Sequence, residues 1–139
     1  MLRELEGEDR IVVGDLEAGI GTLVRMGDHG ADLAIVVSQP TAKSMDVAAR
    51  ALRIAAARSV PAVLIANRVT GPEDVQLIQD TVAPEVEVEV FVVPDDPDVA
   101  RADEEGTAPL DTAAGSPAVL AVEALARAVP RLGRKAAEA

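Results

Sequence analysis

The chain alternates between two hydrophobic rhythms. "RIVVGDL", "LAIVVSQ" and "PAVLIANRV" are short, continuously apolar and rich in β-branched residues, as strands covered on both faces tend to be. Elsewhere the apolar positions fall at helical spacing. In "SMDVAARALRIAAARS", Met45, Ala48, Ala49, Leu52 and Ala56 share one side of a helix. "GPEDVQLIQDTV" opens with Pro72 and two acids, a common helix entrance: proline has no amide hydrogen to leave unpaired, and carboxylates favour the positive end of the helix dipole. "SPAVLAVEALARAVPRL" reads as a last helix that stops near Pro130. Strands alternating with helices of this length predict a parallel sheet with right-handed crossovers, its strands near residues 10–14, 33–38, 61–67 and 87–93.

The fourth run has a mixed pattern. "EVEVEV" alternates before "FVVP" becomes continuously apolar, which fits an edge strand better than a central one. Glu85, Glu87 and Glu89 are expected to line an exposed face or to guard an open edge against aggregation. "DDPDVARADEEG" is expected to form a solvated loop and a short helix. "GRKAAEA" lacks bulky apolar residues at helical spacing and reads as a frayed tail.

Composition narrows the function classes. At 139 residues the chain suits one compact domain spanning 1–139. Its only aromatic ring is Phe91, so the core must be built from Val, Leu, Ile and Ala. With no Trp or Tyr to stack bases and a formal charge of −11, nucleic-acid binding is not expected. The absence of cysteine removes disulfides, thiolate metal sites and cysteine nucleophiles, and makes a cytoplasmic setting the simplest expectation. No apolar run approaches the ~20 residues of a membrane helix, and the charged start "MLRELEGEDR" has no signal-peptide core.

Ligands of parallel α/β sheets bind beyond the carboxyl ends of the strands, where loops converge. Three such loops carry candidate residues. In "GDLEAGIG", Asp15 ends a predicted strand and is followed by Glu17, Gly19 and Gly21. A carboxylate there can hold magnesium through water, and a glycine amide can approach a phosphate closely. A plain strand-to-helix turn, with Asp as cap and Gly for positive φ, accounts equally for those residues. In "IANRV", Asn67 can offer both a donor and an acceptor to a purine edge, or can simply form a turn. In "VPDD", Pro94 can give a base a flat apolar contact and Asp95 or Asp96 a polar one, unless the proline merely terminates a strand.

Taken in order, these loops resemble the deviant-Walker P-loop ATPases of the MinD, ParA and Mrp group, most closely the CooC-like ATPases of carbon monoxide dehydrogenase maturation. The motifs that carry the resemblance are "IVVGDLEAGIGTLVR", with Asp15, Glu17, Ala18 and Gly19; "ADLAIVVSQP" leading into "TAKSMDVAARALRIA"; "LIANRV"; and "VPDDPDVARADEEG". They extend over about residues 9–130. The resemblance implies a three-layer, parallel-sheet sandwich of the P-loop NTPase type. It further implies ATP and magnesium as cofactors, with Asp15 serving the metal, the Gly19 loop sensing the terminal phosphate, and Asn67, Arg68 and the Pro94, Asp95 and Asp96 turn surrounding adenine. In CooC-like proteins the nucleotide switch changes a dimer and assists nickel insertion. A histidine often comes after the Ala-Gly turn in that family, whereas Gly21-Thr22 stands here; the sole histidine, His29, reads as a loop residue.

The larger departure is the phosphate loop itself. Such a loop needs glycines whose amides face the phosphates and an adjoining Lys-Ser or Lys-Thr. The two lysines, Lys43 and Lys135, follow no glycine loop, and "GDLEAGIGT" puts Asp15 and Glu17 where phosphates would sit. The sequence therefore resembles the carboxyl-terminal half of such an ATPase without its amino-terminal P-loop unit. Phosphoryl transfer depends on positioning and charge stabilisation, so hydrolysis by this chain alone is not expected, although Asp15 and Glu17 are the candidates for catalysis. The resemblance leaves two roles: a fragment or half of a nucleotide-dependent switch of the metallocentre-maturation or partitioning type, or a non-catalytic regulatory or dimerisation module for a P-loop-containing partner. A homo-oligomer is expected, because a parallel sheet lacking its first unit leaves an edge or an apolar face to bury. An unrelated small α/β binding domain is disfavoured: a receiver domain would want an acidic pair on its first strand and a lysine ending a later one.

Overall fold

A computed structural model describes residues 11–15, 31–84 and 87–137, the side chains of 133–137 excepted. Three strands, β1 (Ala34–Ser38), β2 (Ala62–Val69) and β3 (Glu89–Pro94), form a parallel sheet in the order β1-β2-β3. The helices are α1 (Ala42–Ala57), α2 (Pro72–Val82), α3 (Pro97–Glu104), a single turn α4 (Pro109–Thr112) and α5 (Pro117–Ala137). Each strand thus leads into a helix, as a parallel sheet requires, because its next strand must start from the opposite end.

The register explains the layers. Val36 and Leu64 are paired across β1 and β2, and Leu64 with Val90 of β3, so this row faces one side of the sheet. There it meets Met45, Ala48 and Leu52 of α1 and Ile78 and Val82 of α2 in one buried cluster. The neighbouring row, Val37, Ile65 and Phe91, faces the other side. Val63, Ile65 and Val93 pack there against Ala118 and Leu132 of α5, with Val99 of α3 at the margin. The sheet advances in one direction through β1, β2 and β3, so two crossovers of the same hand must put α1 and α2 on the same face. They share the first cluster, and the result is an α/β arrangement compatible with a three-layer sandwich of the P-loop NTPase type.

Local chemistry sets the helix ends. Thr41 precedes α1 in an extended conformation, and its hydroxyl accepts the Ser44 amide hydrogen at 3.4 Å. Beyond the other end, Ser59 takes the left-handed conformation usually filled by glycine, with φ 55°.

Three expectations are corrected. Residues 11–15 form no strand: they have no regular secondary structure and are exposed, and Arg10 lies outside the described residues. An apolar run becomes a strand only when its amides find a partner, and β1 is paired only with β2 among the described residues. Next, α5 does not stop near Pro130 and the tail is helical as far as Ala137. A proline removes one helical hydrogen bond, but Leu132 is buried against the sheet and Arg131 pairs with Glu89 at 3.1 Å, which holds the next turn in place. Finally, the inward face of α1 uses Ala55 where Ala56 was expected, since 45, 48, 52 and 55 keep closer to the helical period. Among the described residues β3 is an edge strand, as its pattern predicts, and Glu87 and Glu89 are exposed; Glu85 lies outside the described residues.

Candidate functional site

β2 ends in an irregularity that brings the candidate residues together. Asn67 is in register with Val93, yet Val69 is in register with Pro94, so Arg68 is an extra residue in the ladder. It sits in the left-handed region at φ 56°. Such a bulge bends the strand and re-aims a side chain. Here the Arg68 Nε–H donates to Asp95 Oδ1 at 2.9 Å, while the Asp95 amide donates to the Val69 carbonyl at 2.9 Å. Asn67, Arg68, Pro94 and Asp95 therefore adjoin one another where β2 and β3 finish.

Both side chains of the Arg68–Asp95 pair are about half exposed, 63% and 47%, so the pair is worth at most about 1 kcal/mol to folding. The bulge holds a guanidinium over the turn without adding much stability. Asn67 is half-buried, and its amide makes no hydrogen bond to another described residue. Asn67 shares the row of Val93, which packs towards α5, whereas Pro94 shares the row of Val69, which packs with the α1 and α2 cluster, so the register sends the amide and the proline ring to opposite faces of the sheet end.

Asp96 has a different task. It is buried, and its two oxygens each accept a backbone amide: Oδ1 from Asp98 in the first turn of α3, Oδ2 from Ala118 in the first turn of α5, both at 3.0 Å. The Ala118 amide, and then those of Asp98 and the Ser116 side chain, hold its carboxyl below the ordinary carboxylate range against the cost of burial; Arg101 adds a smaller charge effect. One carboxylate thus caps two helices, and only Asp95 of the adjacent acids faces outward. The sequence signal for this was Asp followed by Pro at the first helical position.

A second clasp was not foreseen from the sequence. Asp74 of α2 accepts the Thr70 amide at 2.8 Å and its hydroxyl at 2.7 Å, and these contacts lower its pKa from the ordinary value. The Thr-Gly-Pro-Glu-Asp stretch carries that signal as a side chain reaching back over a helix entrance. Ser38, fully buried at the end of β1, donates to the Gln39 carbonyl at 3.2 Å, and the Gln39 amide donates to Ser44 Oγ at 2.9 Å.

The structure does not bring Asp15 into this group. It belongs to the exposed run 11–15, outside the sheet, while Glu17, Gly19 and His29 lie outside the described residues. Among the described residues no three His, Cys, Asp or Glu side chains gather in a manner that would hold a metal ion. Among the described residues this donor set does not fit triphosphate or magnesium: the one guanidinium of the group is paired with Asp95, and Lys43 is exposed on the first turn of α1. No described helix is long and apolar enough to cross a membrane. In comparisons with known proteins, no family model matches the chain and no curated protein is similar to it.

Proposed function

We propose that this chain is a fragment or half of a CooC- or MinD-like nucleotide-dependent switch that acts in the cytoplasm, carries the base-binding residues and has its phosphate loop outside residues 1–139. The observation that supports this reading is the Arg68 bulge, which leaves Asn67, without a side-chain hydrogen bond among the described residues, in register with Val93 where β2 and β3 finish, in a sequence whose lysines follow no glycine loop. Affinity for nucleotides comes largely from charge-assisted contacts to phosphate. The chain alone should therefore bind adenine nucleotides feebly, at about millimolar strength or weaker, about −4 kcal/mol. It should also separate ATP, ADP and AMP poorly, since they differ only in phosphates.

Calorimetry with each nucleotide, with and without magnesium, tests this. Micromolar ATP binding, or turnover abolished by Asp15→Asn, would show a phosphate site within the chain and end the proposal. Tight binding restored by a separate polypeptide bearing a phosphate loop would support it.

A second reading is that of a non-catalytic regulatory or dimerisation module. It is favoured by the apolar side chains of β1, Ile35 and Val37, which are about half exposed. A stable complex with a P-loop-containing protein that forms without nucleotide would favour it over the first.

A further inference from the structure

We propose that the outer faces of α1 and α2 form a weak two-fold interface with a second copy of this chain, α1 of each copy lying against α2 of the other. The two helices share one buried cluster, and each follows a strand of the parallel sheet, so they lie in one layer and run the same way. α1 has the three cations Lys43, Arg50 and Arg53 against the single acid Asp46, whereas α2 has Glu73, Asp74 and Asp80 and no cation. Their exposed residues repeat one spacing with the charge inverted. Lys43, Val47 and Arg50 fall at i, i+4 and i+7 on α1; Glu73, Leu77 and Asp80 fall at i, i+4 and i+7 on α2. Positions so spaced form one stripe of a helix, here about 10 Å long. All six are exposed, Val47 at 41% and Leu77 at 47%. Each stripe is an apolar side chain between two like charges, and the two stripes are of opposite sign.

Among the described residues no ion pair joins one stripe to the other. Arg50 pairs with Asp46 on its own helix, and Asp80 accepts a hydrogen bond from Gln76 on its own at 2.8 Å. Such exposed local contacts are weak and give way readily to a better partner. A two-fold interface must be self-complementary, because the same patch serves both copies. A cationic stripe beside an anionic one of equal spacing meets that condition, whereas a uniformly acidic or basic partner would match one stripe and be repelled by the other. The face is small: α2, the shorter helix with 11 residues, is about 16 Å long, so the contact falls below the about 800 Å² per partner of a standard interface. Each copy also carries −11, and repulsion at long range opposes the contact. Association is accordingly weak, with half the chains paired near about 100 μM. It needs no nucleotide and stands apart from the reading of the Asn67 site.

Sedimentation equilibrium from about 10 to about 500 μM, a range suited to such a dimer, should show the native chain associating to twice its mass. Lys43→Glu with Arg50→Glu should weaken the association about tenfold or more, and so should Glu73→Lys with Asp80→Lys, because each pair of changes sets like charges across the contact. An equal mixture of the two variants should dimerise about as well as the native chain. A chain with all four reversals, whose net charge is native, should do the same. A monomer throughout the range would overturn the proposal, as would a mixture that fails to recover while circular dichroism shows both variants folded. Loss on reversing α1 but not α2 would overturn it too, and would assign α1 to another acidic surface. If a reversed chain does not fold, cross-linking decides. The native chain contains no cysteine, so chains with Val47→Cys, oxidised together with chains carrying Glu73→Cys, Leu77→Cys or Asp80→Cys, can join only between copies. The mixed disulfide should exceed both like-with-like products for at least one pair; like-with-like products predominating in every pair would refute the two-fold contact.

Discussion

The tripeptide Ile-Val-Val occurs twice, at 11–13 and at 35–37, and the two copies have different fates. The second is the centre of β1, with Val36 buried between the sheet and α1. The first is exposed and has no regular structure. Local preference is the same for both, so it cannot be the cause. The difference lies in the neighbours each copy acquires. β1 runs through Gln39, Pro40 and Thr41 straight into α1, which folds back to lay Met45, Ala48 and Leu52 over the sheet, while β2 satisfies the amides of one edge. Residues 11–13 have neither cover nor partner among the described residues. A β-branched run is a capacity for strand formation, and a neighbour realises it.

The strongest way to break the comparison is to put the same charge into each copy. Val36→Asp buries an unpaired carboxylate and should cost more than about 3 kcal/mol, enough to unfold much of the population. Val12→Asp should change the stability of the dilute monomer by no more than about 0.5 kcal/mol. Urea titrations below the concentration of association measure both; equal costs would mean that residues 11–13 are packed after all. Next in size is removal of the cover itself. Leu52 is almost wholly buried in the cluster above Val36, and Leu52→Ala should destabilise by about 2–5 kcal/mol in the same titration.

A smaller effect distinguishes the two faces of the sheet by pH. Asp96, whose folded pKa is depressed, seats α5 on the opposite face, and Asp74 is depressed likewise at the start of α2. A carboxylate with a lowered folded pKa contributes its full stabilisation above its unfolded value of about 4 and loses it as pH falls through the folded value. Stability should therefore be flat from pH 7 to about 5 on account of these groups and decline below about 4. Asp96→Asn should lower the midpoint of thermal unfolding by about 5 °C at pH 7 and flatten the acid decline. Hydrogen exchange at the Ala118 amide should rise on acidification before that of the Leu52 amide in α1; the reverse order would refute this role.

The least change is expected at the bulge. Arg68→Gly relieves a left-handed conformation, worth about 1 kcal/mol, and removes an exposed ion pair worth up to about the same, so stability should stay within about 1 kcal/mol of the native chain. If the site binds adenine as proposed, nucleotide titration followed by NMR should nevertheless show weaker shifts at Asn67. A large loss of stability would make Arg68 structural.

The alternation of strands and helices, the parallel sheet, the edge character of β3 and most of the inward face of α1 were legible in the sequence, because each depends on the period of apolar residues along one segment. The grouping of Asn67, Arg68, Pro94 and Asp95 was legible for a related reason: in a parallel sheet the carboxyl ends of adjacent strands must lie side by side. What the tertiary structure decided were matters of partnership. It left Ile11–Val13 outside the sheet, carried α5 past Pro130 because Leu132 and Arg131 had contacts to make, turned Asp96 inward to two helix ends while Asp95 turned out to Arg68, and inserted an extra residue at Arg68. Side-chain period is a property of one stretch of chain, whereas burial and hydrogen bonding require a second stretch, and which one arrives is settled only when the whole chain packs.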